Sequence, residues 1–148
     1  MKDYPIPDNE LQRLAALKRY NILDTLPDDA FDDATKLVAY ICGVPIAHIS
    51  FIDENRQWFK SEIGIGVSEV PREISFCQYT ILDSKMTEIN DTLLNDRFKD
   101  DPNVTGGFNI RFYAGVPLTT PDGYNIGTLC AIDHEVKELN ENQRNALS

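Results

Sequence analysis

Cysteine and histidine are the side chains best suited to chemistry at neutral pH, and this chain holds three of the first and two of the second. Cys77 falls near the start of a predicted helix, where the helix dipole favours a thiolate and lowers the thiol pKa. Cys42 sits at a helix end and Cys130 inside a strand, positions where a small buried thiol is an ordinary core residue. There is no Cys-x-x-Cys pair, and His48 and His134 are far apart. The sequence therefore offers no compact Cys/His cluster with the spacing of a structural zinc site. His48 on a strand reads as a hydrogen-bonded core or edge residue, with haem ligation as the alternative. Asp91, Asp96, Asp100 and Asp101 gather in one segment, but their spacing matches no EF-hand, and turns favour Asp anyway. No phosphate loop, nucleophile elbow or carboxylate pair stands out. The residues point to binding without catalysis, with no metal and no cofactor that can be named.

The chain that must position these groups has 148 residues, 42% hydrophobic and 26% charged, which fits one α+β domain over 1–148. Its net charge of −10 disfavours nucleic acid and anionic membranes. No apolar run approaches the ~18 residues of a membrane span, and the first residues lack a signal-peptide pattern, so a cytoplasmic protein is expected.

Helical periodicity predicts a first helix from Asp8, as its cap, to Tyr20, with Leu11, Leu14 and Leu17 on its inner face and Arg13 elsewhere. A second begins near Pro27, with Thr25 and Asp28 as a capping box, carries Phe31, Ala34, Val38 and Ile41 inward, and stops at Gly43 and Pro45. Ala47–Ile52 and Gln57–Ile63 read as a hairpin, Ser75–Leu82 as a third helix and Thr87–Asn90 as a short strand. Residues 91–110 are rich in Asp, Asn, Gly and Pro, the composition of a lid or binding loop. Arg111–Leu118 and Asn125–Asp133 form a second hairpin around Thr120–Gly123, Pro117 marking a strand end or edge. A last helix starts near Asn140, with Gln143 completing a capping box, and its shortness predicts that the natural chain continues.

Several blocks in order resemble the GAF domains found at the N-terminus of bacterial sensor histidine kinases and diguanylate cyclases. They are Leu14–Leu17 through Tyr20–Thr25, Phe31-Asp32-Asp33, Cys42–Ala47, Asp53–Phe59, Pro71-Arg72-Glu73 and Ser75-Phe76-Cys77. Asp96-Arg97-Phe98, Arg111–Leu118 and Gly127–Cys130 complete the set. The resemblance implies an antiparallel sheet flanked by helices, a pocket between sheet and loops, and an output passed through the C-terminal helix, often in a homodimer. The Asn-Lys…Phe…Asp-Glu signature of cyclic-nucleotide-binding members is missing. Cys77 is followed by Gln78, where bilin-binding members carry His. Some similar proteins reduce free methionine sulfoxide with a cysteine placed like Cys77, helped by cysteines in the next loop. Residues 91–110 hold none.

The implied pocket collects Trp58, Phe76, Phe98 and Tyr113 as apolar walls, with Ser50, Ser75, Asp91 and Arg111 as orienting groups and Cys77 at its edge. The expected function is a sensory domain that binds an unidentified small molecule and regulates a kinase or cyclase. A ligand-free dimerisation module and a methionine sulfoxide reductase are the alternatives.

Overall fold

Two amphipathic helices lead into the sheet. The computed structural model describes residues 5–83, 85–95, 98–105 and 109–147, so Asp96, Arg97, Gly106 and Gly107 lie outside the described residues. Helix α1 (Glu10–Arg19) has Asn9, not Asp8, at its N-cap position, with no side-chain capping bond, and buries Arg13, Ala16 and Leu17. Leu11, expected inward, is 81% exposed. Arg13 takes the inner position because its guanidinium has partners there: Nη1 donates to the Ile52 carbonyl at 2.7 Å and Nε to Glu10 at 2.8 Å. A buried cation held by a carboxylate and a carbonyl outcompetes a leucine that finds no groove.

Helix α2 (Asp29–Cys42) starts at Asp28, whose side chain accepts from Ala30 N, and ends on Gly43 in the left-handed conformation at φ 64°. Thr25 instead turns its hydroxyl onto the Ile22 carbonyl. Thr35, Val38 and Cys42 form the fully buried stripe, with Phe31, Ala34 and Ile41 half-buried beside it.

The strands are β1 (Ile46–Ile52), β2 (Arg56–Ile63), β3 (Glu69–Pro71), β4 (Thr87–Ile89), β5 (Phe112–Thr119) and β6 (Asn125–Asp133), in sheet order β3-β2-β1-β6-β5-β4. Every pairing is antiparallel. The fold is therefore α+β, as the two hairpins predict. The edge strand β3 was not expected. Pro71 is tolerated there because an edge strand does not need every N–H. Pro117 is tolerated for the same reason, since β4 pairs only with Tyr113–Gly115 and leaves that part of β5 uncovered on one side.

Alternation along the strands gives the sheet two apolar faces. Ala47, Phe112, Ala114 and Ala131 pack with Val38, Cys42 and Leu147, the last on α5 (Glu141–Leu147). Ile49, Phe51 and Trp58 pack under Ala16 and Leu17 of α1. The opposite face carries Ile46, Ile52, Tyr113, Cys130 and Ile132, covered by Phe76, Cys77, Ile81, Phe98 and Val104. The cover includes α3 (Cys77–Thr80), a single turn shorter than the predicted helix. It ends early because Asn125 Nδ2 of β6 donates to the Ile81 and Asp83 carbonyls at 3.0 and 3.1 Å, satisfying acceptors that another turn would have used.

The remaining cover comes from the predicted loop. A 3-10 turn at Thr92–Leu94 is capped by Asp91, and α4 (Pro102–Thr105) follows. Thr92 ties the segment to the root of β5, its Oγ1 donating to Ile110 O at 2.7 Å. Phe98 and Val104 are 3% and 0% exposed, so the described parts of this segment supply core as well as surface.

Candidate functional site

Sheet register builds the site from residues far apart in the chain. His48 of β1 pairs directly with Cys130 of β6, and Cys130 with Gly115 of β5. Gly115 leaves the space that the Tyr113 ring needs: a Cβ there would lie 2.4 Å from the Tyr113 hydroxyl and 3.0 Å from Cys130 Sγ. The hydroxyl reaches across to lie 3.2 Å from Cys130 Sγ and 3.3 Å from Cys77 Sγ. Helix α3 lays Cys77 over the same spot, its Sγ 3.3 Å from Cys130 Sγ and 3.9 Å from His48 Nε2. Thr80 and Thr128 close the group through hydroxyl contacts to Tyr113 at 2.7 Å and to Cys130 at 3.4 Å. All six residues are buried.

A cavity of about 50 Å³ opens beside this group, walled by His48, Gln57, Phe59, Ser75, Phe76, Cys77 and Tyr113 with Ile46, Ile65, Val70, Ile110 and Ile132. A polar relay runs along its wall. Ser75 Oγ donates to Gln57 Oε1 at 2.6 Å, and Gln57 Nε2 donates to Ser50 Oγ at 2.8 Å. The His48 ring meets Phe59 edge-on at 5.0 Å, and its Nδ1 is buried with no hydrogen-bond partner among the described residues. A buried polar atom left unpaired costs about 1–3 kcal/mol.

The electrostatics separate the acids. Burial alone raises the Cys77 thiol. Its hydrogen bond with Cys130, the electrostatic influence of His48 and hydrogen bonds from His48 and Thr128 together outweigh burial and hold it well below 9.0. Cys130 is pushed well above 9.0 by burial and by the neighbouring Cys77. Tyr113 is pushed well above 10.0 by burial and by both sulfurs. The arrangement sets one lowered thiol between two groups that hold their protons more firmly, a pattern typical of acid–base sites.

His48, Cys77 and Cys130 also place a nitrogen and two sulfurs within 4.8 Å of one another, close enough for one metal ion to span. A soft N/S set of this kind suits zinc. The fit is incomplete, because a metal-bound imidazole ordinarily hydrogen-bonds through its second nitrogen and His48 Nδ1 has no such partner.

Of the residues singled out from sequence, Ser75, Phe76, Cys77 and Tyr113 line the cavity. Ser50 lies behind Gln57, and Phe98 stacks on Phe76 with centroids 4.2 Å apart. Trp58 is on the opposite face of the sheet under α1, Asp91 accepts from Leu93 N, and Arg111 donates to the Val104 and Ile110 carbonyls. These three are not brought to the cavity. His48, Gln57, Thr80, Thr128 and Cys130 were missed as a group. The equal parity of His48 with Ser50, and of Thr128 with Cys130, was the available signal, since it puts each pair on one face.

A second polar network ties this region to the N-terminal helix. Arg72 is fully buried, donates to Glu10 at 2.5 and 3.2 Å and to Gln78 of α3, and contacts the Asp53 carbonyl at 3.2 Å. Gln78 in turn donates to the Pro5 carbonyl.

Comparison with known proteins agrees with this architecture. A cyclic di-GMP phosphodiesterase of Pseudomonas aeruginosa is 41% identical over 131 residues, 88% of this chain but only 22% of that protein's length. The GAF domain of an Acinetobacter phosphoenolpyruvate-protein phosphotransferase superposes with a TM-score of 0.66 at 17% identity, covering 96% of this chain and 87% of that one. A type II free methionine-R-sulfoxide reductase from Thermoplasma acidophilum gives 0.65 at 12% identity, covering 89% and 87%. At those identities the two structures speak for the fold alone. The family described as GAF domain matches residues 26–148, and the chain belongs to it.

Proposed function

We propose that this GAF domain is a sensory input module that takes a small ligand into the cavity beside His48 and Cys77 and regulates an output enzyme. The observation that carries the reading is the cavity itself, an apolar chamber with a few convergent polar groups. Its volume of about 50 Å³ suits a ligand of a few heavy atoms. Anything larger must displace α3 and the Phe76–Phe98 stack. Binding would then favour the displaced arrangement, which is the condition for a ligand to shift an equilibrium. The Gln78–Arg72–Glu10 contacts offer a mechanical route from α3 to α1.

The phosphodiesterase relative supports an output that acts on a cyclic dinucleotide, alongside the kinase or cyclase that the family resemblance implies. Native mass spectrometry of the purified chain, before and after denaturation, tests the ligand. Release of a small molecule that Tyr113→Phe retains less well supports the proposal. A chain empty at all concentrations, with Tyr113→Phe indistinguishable, refutes it. A homodimer is the second reading, favoured by Leu37 and Tyr40, which stand 57% and 85% exposed one turn apart on α2. Light scattering of wild type and Tyr40→Glu decides it.

A further inference from the structure

We infer that Cys77 and Cys130 are a redox-modification site, in which Cys77 reduces a small hydroperoxide entering the cavity and Cys130 then closes a disulfide with it. The inference deepens the proposed function by giving the cavity an oxidant as its input, and it rests on that reading.

The geometry sets each participant in place. The cavity wall exposes Cys77 but not Cys130, so an entering oxidant meets one sulfur first. The second sulfur stands 3.3 Å behind it. The Tyr113 hydroxyl and the His48 imidazole are the proton-bearing groups at the attacked sulfur. Hydrogen peroxide, with two heavy atoms, is within the size that about 50 Å³ accommodates.

In the first step the Cys77 thiolate attacks one peroxide oxygen. The S–O bond forms as O–O breaks, and the departing hydroxide takes up the proton that the Cys77 thiol gave up to the His48–Tyr113 side of the site and leaves as water. Cys77 is then a sulfenic acid. In the second, Cys130 sulfur attacks Cys77 sulfur, S–S forms as S–O breaks, and the hydroxide leaves with the Cys130 proton as a second water. One peroxide is reduced by two electrons to two waters while two thiols become one disulfide.

The step has a mechanical consequence. The sulfurs must close from 3.3 Å to about 2.0 Å. Cys130 cannot move far, because β6 is paired along its length with β1 and β5. The one-turn helix α3 must move instead, carrying Phe76 off its stack and Gln78 against Arg72. A metal ion at the same three donors is the competing occupant. The short sulfur separation and the unpartnered His48 Nδ1 favour the thiol pair.

The test is to titrate the reduced, metal-stripped chain with hydrogen peroxide, alkylate under denaturing conditions and map the peptides by mass spectrometry. Free thiols should fall from three to one, with Cys77 and Cys130 cross-linked and Cys42 still alkylated, and Cys77 should react roughly tenfold or more faster than Cys42. In Cys130→Ser the reaction should stop at a sulfenic acid that dimedone traps on Cys77. Three thiols surviving doses that fully oxidise glutathione would overturn the inference, as would a disulfide through Cys42. Stoichiometric zinc in the chain as purified, with no cross-link after its removal, would assign the cluster to a metal. The wild-type arm stands whether or not the variant folds. A small molecule released from the cavity without thiol loss sinks the thiol pair while sparing the ligand reading, whereas a cross-link in a chain that releases nothing supports the pair.

Discussion

Replacing Arg72 by methionine removes the buried cation that joins α1, α3 and the β1–β2 turn while keeping an unbranched apolar side chain in its place. The wild-type side chain is 0% exposed and its partner Glu10 16% exposed. Breaking a buried ion pair by removing one partner costs about 3–5 kcal/mol. Glu10 retains Arg13 at 2.8 and 3.2 Å, so the carboxylate left behind is not stranded, and the lower end, about 3 kcal/mol, is expected. With a urea m-value of about 2 kcal/mol/M for a domain of this size, the midpoint should fall by about 1.5 M.

Acid titration sharpens the test. Burial raises the Glu10 carboxyl, but hydrogen bonds from Arg72 and Arg13 outweigh it and hold the group below its ordinary value of 4.5. A depressed carboxyl contributes stability that is fully present above the unfolded-state value. That contribution is lost as pH falls through the folded one. Wild type should therefore lose this part of its stability below pH 4.5, and Arg72→Met should start lower and lose less over the same window. Urea unfolding followed by circular dichroism at neutral and acid pH measures both. A midpoint shift below about 0.5 M, or an unchanged acid slope, would refute the network's assigned role.

Gly115→Ala puts a Cβ 2.4 Å from the Tyr113 hydroxyl and should cost about 1–3 kcal/mol by urea unfolding while driving that hydroxyl off the sulfurs; a neutral effect would mean that the close approach is not needed. Asn140→Ala removes the side-chain oxygen that accepts from Gln143 N at 2.8 Å at the start of α5, while the backbone N of residue 140 still donates to Gln143 Oε1, at a cost of about 1 kcal/mol in the same assay. Iodoacetamide labelling read by peptide mapping should find that Cys77 loses reactivity less steeply than Cys42 as pH falls from 9 towards 7, since its thiol is held well below 9.0. Cys42, whose thiol is raised by burial, should lose about tenfold per unit over that range, and parallel profiles would contradict the lowering of the Cys77 thiol.

The elements were most legible where local chemistry alone decides them. Strand β6 has the predicted ends, Gly43 terminates α2, and Asn140 with Gln143 caps α5 as the side-chain spacing requires. Helix α1 was placed correctly but rotated wrongly. A leucine count credits Leu11 and cannot know that Arg13 will meet Glu10 and the Ile52 carbonyl. The thiol group was illegible for a related reason. His48, Cys77 and Cys130 belong to a strand, a helical turn and a distant strand, and only the β1–β6 register and the descent of α3 bring them together. Nor does a one-dimensional pattern disclose that Gly115 clears the path for Tyr113. Trp58 was placed at the pocket by the family resemblance, but strand alternation sends it to the other face, opposite its neighbours Gln57 and Phe59.

What these placements share is α3. The sheet beneath the cavity is held by pairing on both sides of β6, so the proposed ligand entry or sulfur chemistry there would displace the one-turn helix above it. That helix holds Cys77 towards the cavity and Gln78 towards Arg72, and Arg72 holds Glu10 of α1. Arg72 does not line the cavity, so Arg72→Met cuts this chain of contacts without touching the chemistry. Peroxide should still cross-link Cys77 to Cys130 in that variant. In wild type the same treatment should change hydrogen-exchange protection in both α3 and α1, and in the variant in α3 alone. A wild-type response confined to α3 would show that the Arg72 network holds the N-terminal helix in place without carrying anything through it.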